Sequence, residues 1–62
     1  MNDIFYEAIA RSSIQEVFGA NFTPHKELID ESVFFIQDLD IISAQYNLRD
    51  MLERVRKDQI EE

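Results

Sequence analysis

The stretch Phe18-Gly19-Ala20-Asn21-Phe22-Thr23-Pro24 decides the fold, because it holds the only glycine and the only proline of the 62 residues. Glycine readily takes the left-handed conformation that closes a helix, threonine caps the start of one, and the fixed φ of proline suits a first helical position. The order Gly19, Thr23, Pro24 therefore predicts one helix ending at Phe18 and a second starting at Pro24.

Upstream, Tyr6, Ile9, Ala10, Ser13, Ile14 and Val17 follow the three-and-four spacing of a single helix face. They predict a helix over 3–18, with Asn2 or Asp3 as its N-cap. Glu7, Arg11 and Gln15 form a ladder on the opposite side, and Glu7 precedes Arg11 by four, the favourable order for an intrahelical ion pair.

Downstream of Pro24 the helical pattern resumes without another Gly or Pro. Leu28, Ile29, Val33, Phe35, Ile36 and Leu39 cluster on one side of a helical wheel, and Ile41, Ala44, Leu48, Met51, Leu52 and Val55 cluster on another. On one continuous wheel the two directions differ by roughly 140°. A single straight helix would have to bury two faces. Asp38 or Asp40 at the seam can cap a new helix, so the pattern predicts an all-α unit of three helices, about 3–18, 24–38 and 40–58. The alternative is a helical hairpin with one long second helix whose halves touch different neighbours, as in a dimer. Within 40–58, Asp50 with Arg54 and Glu53 with Lys57 are acid-before-base pairs four apart. Arg54, Arg56 and Lys57 suit the negative end of that helix, and 59–62 should fray.

One small domain, 1–62, fits this length. A chain of this size buries only about 60% of its unfolded surface, so a lone core is marginal without a staple or a partner. Cysteine is absent, which excludes disulfides and thiolate metal sites. Five phenylalanines and 45% hydrophobic residues are too apolar for a disordered chain. A domain that gains stability by oligomerising or docking is the expectation, with a homodimer favoured.

The charge is uneven. Residues 1–48 hold eight acids against Arg11 and Lys26 (−6), and residues 49–62 hold five acids against Arg49, Arg54, Arg56 and Lys57 (−1), which together make the net −7. An acidic body repels phosphate backbones and anionic lipid, so neither direct nucleic-acid nor membrane binding is expected. Met1-Asn2-Asp3 lacks the basic, apolar character of a secretory signal, and no apolar run approaches the ~20 residues that span a bilayer. A cytoplasmic location is the default expectation.

Catalytic signatures are not expected in this sequence. His25, the single histidine, has Leu28, Ile29 and Ser32 as its helical neighbours, a set without a metal ligand. Ser12, Ser13, Ser32 and Ser43 lie in no nucleophile elbow, and one glycine makes no phosphate-cradling loop. Asp38 and Asp40 straddle Leu39 as a carboxylate pair, which is more simply read as a helix boundary. The expectation is a non-enzyme with no cofactor, no metal and no small-molecule substrate.

The most suggestive surface is the outer side of the second helix. Glu27, Glu31 and Asp38 fall opposite the apolar cluster, with Asp30 at the margin and Phe34 among them. Either Phe34 anchors a protein partner, or it closes the small core from the flank while the acids are merely solvated. If two copies met through this face, Arg54, Arg56 and Lys57 would be the internal source of countercharge. The leading expectation is a module that docks on or regulates a larger protein through Phe34, Glu27, Glu31 and Asp38. A second is an acidic nucleic-acid mimic, because acids four apart on a helix imitate a row of phosphates. A third is a structural subunit of an oligomeric assembly.

Overall fold

The computed structural model describes residues 3–60, with side chains described for 4–59. It contains three helices, α1 (Asp3–Phe18), α2 (Lys26–Ile36) and α3 (Ile41–Ile60), and no strand among the described residues. The expected caps Asn2 and Asp3 (its side chain) lie outside what is described, as do Glu61 and Glu62. No helix is long and apolar enough to cross a membrane among the described residues.

The glycine acts as expected. Gly19 sits at φ +106°, the only positive φ among the described residues, and its N–H donates to the Gln15 carbonyl at 2.8 Å, the single-bond form of a left-handed cap. The Phe22 N–H then donates to the Gly19 carbonyl at 3.1 Å, and the Phe22 ring stacks on Phe18 with centroids 4.6 Å apart. Both rings pack against the core.

The second helix starts two residues later than the Thr23-Pro24 pattern predicts. His25, not Thr23, holds the N-cap position, with extended dihedrals (φ −72°, ψ 155°) and no side-chain capping bond. Its carbonyl accepts from the Leu28 and Ile29 N–H groups. Proline's φ serves an extended strand of chain as well as a first helical turn. Here residues 22–25 are non-helical, with Phe22 stacked on Phe18, and the helix begins only at Lys26.

At the other seam the chain breaks as the out-of-phase stripes require, between Ile36 and Ile41, and the one-long-helix alternative is excluded. The Leu39 N–H donates to the Ile36 carbonyl at 2.9 Å, and the Asp40 carboxylate accepts from the Ile42 and Ser43 N–H groups at 3.1 Å each. Every residue of this corner keeps φ negative. That is why it needs no glycine.

Ala10 and Ile14 from α1, Ile29 and Ile36 from α2, and Ala44, Leu48 and Leu52 from α3 form the buried core. Two expected members are corrected: Phe35 and Ile41 are each about half exposed. Ile41 is the first residue of α3, so it has no preceding turn beside it, and Phe35 lies on the flank of α2, lining an open depression that Met51 also lines. Ser32, passed over in the sequence, is fully buried, its hydroxyl donating to the Leu28 carbonyl at 2.8 Å. That bond removes the cost of burying a lone hydroxyl.

Two contacts fix the arrangement of the helices. The Tyr6 hydroxyl donates to the Leu39 carbonyl at 3.1 Å, and Arg49 meets Glu16 at 3.4 Å. Both link residues 33 apart, so α1 and α3 run parallel and in step, with α2 antiparallel between their ends. Phe18 is then level with Met51, and the last two turns of α3 extend past the end of α1. The end where α1 and α3 begin is also where α2 finishes.

Candidate functional site

The outer face of α2 presents Glu27, Glu31 and Phe34 to solvent, one helical turn apart or nearly so, and all three are exposed. Asp38 is exposed too, but it lies in the corner beyond the end of α2 rather than on the helix. Phe34 is 75% exposed, so it does not close the core. It forms a ridge between two depressions. One, of about 780 Å³, runs along α1 and α2 past Glu7, Arg11, Lys26 and Val33. The other, about 720 Å³ and more apolar, is lined by Asp30, Glu31, Phe34, Phe35 and Met51.

The charge on this face is only partly compensated. Lys26 meets Asp30 at 2.8 Å, a pair not foreseen in the sequence, and the Asp30 carboxylate, first by its hydrogen bond and then by its charge, raises the Lys26 pKa above its ordinary value. Glu27, Glu31 and Asp38 have no cation within 4 Å among the described residues. Elsewhere Glu7–Arg11 (2.9 Å) and Asp50–Arg54 (3.3 Å) form as their spacing predicts, whereas the Glu53–Lys57 pair does not close to 4 Å.

The residues weighed for chemistry are drawn to other tasks. His25 is exposed at the α2 N-cap position, where its backbone carbonyl does the bonding. Ser13 is buried in the interior, and the Ser32 hydroxyl is taken by Leu28. Asp38 and Asp40 do not act as a pair, because Asp40 is turned onto the start of α3. Hydrogen bonds from Ser43, side chain first and then amide, hold its carboxyl below the ordinary aspartate range, with the Ile42 amide adding to this. Among the described residues no three His, Cys, Asp or Glu side chains gather as a metal-binding group.

Sequence reasoning missed a second exposed apolar set. Ile4, Phe5, Ile42 and Tyr46 are all open to solvent, with Ile41 partly so. Phe5 precedes Ile9 by one turn of α1, and Ile42 precedes Tyr46 by one turn of α3. The sequence signal was present, since four large apolar residues lie off the core stripes of two helices. Comparison with protein-family models, with curated proteins and with solved structures finds no match for this chain.

Proposed function

We propose that this chain is a non-enzymatic interaction module that docks the outer face of α2 onto a larger protein and modulates it, with Phe34 as the anchor and Glu27, Glu31 and Asp38 as its charged surround. The observation that carries this reading is the exposure of Phe34, 75% open beside a shallow apolar depression and ringed by acids. An aromatic that the core does not use is free to fill a partner's pocket. Its burial there contributes about 2 kcal/mol from area alone, the scale of an interface hot spot. The acids steer that encounter toward a partner whose rim is basic, and exclude acidic competitors.

The nucleic-acid mimic is the less favoured use of the same carboxylates. Asp30 is neutralised by Lys26, and the middle of the acidic row is a phenylalanine, which offers nothing to a groove built for phosphates.

Affinity capture from the host's lysate, with wild type and Phe34→Ala compared at low and high salt, tests the proposal. The expected result is a captured protein that survives high salt, an affinity about thirtyfold lower for Phe34→Ala, and unchanged helicity by circular dichroism. Capture that collapses in salt and is displaced by duplex DNA would favour the mimic. Capture indifferent to Phe34→Ala would remove this face from the account, and a fixed high-order oligomer would favour the structural subunit.

A further inference from the structure

We infer that the face shared by the first halves of α1 and α3 is a self-association surface, covered by the same face of a second copy. This reading is independent of the α2 docking face and uses none of its residues. Because α1 and α3 are in step, Ile9 is level with Ile42, and a narrow groove along them is lined by Ile9, Ser12, Glu16, Gln45 and Arg49. One turn toward the helix starts the same two flanks carry Phe5 and Ile42, and Tyr46 stands beside Ile42 one turn further along α3. Phe5, Ile42 and Tyr46 are 65%, 69% and 68% exposed.

Area and charge both point to a second copy as the occupant. Taking ~150–250 Å² for a large apolar side chain, Phe5, Ile42 and Tyr46 leave roughly 400 Å² open. That is about half of the ~800 Å² per partner of a standard interface, and Ile9 and Gln45 extend it. Most of the charge on this face is met within the chain: Glu16 is paired with Arg49, Arg49 also lies 5.8 Å from the Tyr46 ring centroid, the Asp40 carboxylate is bound to the amides that start α3, and Asp50 beside Tyr46 is paired with Arg54 at 3.3 Å, which leaves Glu53 at the far edge of the face. A chain of net charge −7 repels its own copies. Two copies can therefore meet only where acids do not face acids, and this face allows it. The outer face of α2 would set Glu27 and Glu31 against their own images. A patch that meets itself about a two-fold axis needs only to be self-complementary, and a neutral apolar patch is.

Sedimentation equilibrium of the full chain over a wide concentration range, for wild type, Ile42→Glu, Tyr46→Ser and Phe34→Ser, tests this. Wild type is expected to approach twice the 7.4 kDa chain mass. Ile42→Glu should weaken association at least about tenfold. It should also keep its helicity, since an acid in the first turn of α3 suits the helix dipole. Tyr46→Ser should weaken association as well, and it carries the test if Ile42→Glu loses helicity. Phe34→Ser should associate as wild type does. A monomer at every concentration overturns the inference, and so does association that ignores Ile42→Glu and Tyr46→Ser or is broken by Phe34→Ser.

Discussion

The outer face of α2 and the shared face of α1 and α3 both expose large apolar side chains, yet they differ in everything around them. Phe34 stands among Glu27, Glu31 and Asp38, which have no cation within 4 Å among the described residues, whereas the nearby Glu16 and Asp40 on the face of Phe5, Ile42 and Tyr46 are bound by Arg49 and by helix amides. Hydrophobic exposure alone would rank the two as equivalent. The charge environment separates them, and on the proposals above it suits one face to a cationic partner and the other to a copy of itself. With seven buried core side chains among the described residues of a 62-residue chain, covering such surfaces would also add burial to a small core.

The largest effect on this comparison should come from beneath both faces. Leu48 is fully buried in the core, and Leu48→Ala should cost about 2–5 kcal/mol, set against a total of roughly 3–9 kcal/mol for a chain of this length. Thermal or urea unfolding should show a large loss of stability, and both binding activities should fall together. Phe34→Ala, by contrast, should leave the unfolding midpoint nearly unchanged. Equal losses for the two variants would mean that Phe34 belongs to the fold, and the distinction between scaffold and surface would break there.

A smaller effect distinguishes the two helix starts. Asp40 caps α3 beside Ile41 and Ile42, while α2 starts at His25 with no side-chain cap. The folded pKa of Asp40 is lowered below its ordinary value of 3.8. Its capping contribution is therefore fully present above that value, and is lost as pH falls through the lower folded pKa. The amide resonances of Ile42 and Ser43 should titrate with a midpoint below 3.8, and Asp40→Asn should abolish the step. A midpoint at or above the ordinary value would show that the carboxylate does not hold the start of α3.

What the sequence made legible follows from what a helical wheel records. It records direction, so the α1 stripe from Tyr6 to Val17, the core-facing Ala44, Leu48 and Leu52, and the break near Asp38–Asp40 could all be read. It does not record height along the bundle. Ile41 points inward but has no turn before it to close over it, and Phe35 lies on the flank of α2, where it lines an open depression. Nor does it say which flank a third helix covers, and that alone leaves Phe5 and Tyr46 outside. Pro24 was ambiguous for a local reason: its φ fits a helix start and an extended loop alike, and here it lies in the loop that follows the stacked Phe18–Phe22 pair. The sequence left Phe34 open between a partner anchor and a flank of the core, because an aromatic among acids on the outer side of α2 fits both, and its 75% exposure decides against the core.

The salt dependence of self-association tests most directly the claim that charge assigns each face its partner. Between about 0.05 M and about 1 M NaCl the screening length shrinks several-fold, which weakens repulsion between copies of net charge −7 and leaves apolar contact intact. If the neutral face of α1 and α3 joins the copies, the dissociation constant measured by sedimentation should fall as salt rises. A dissociation constant that rises with salt would mean that opposite charges hold the copies together, with Arg54, Arg56 and Lys57 of one laid on the α2 acids of the other, and it would contradict the account.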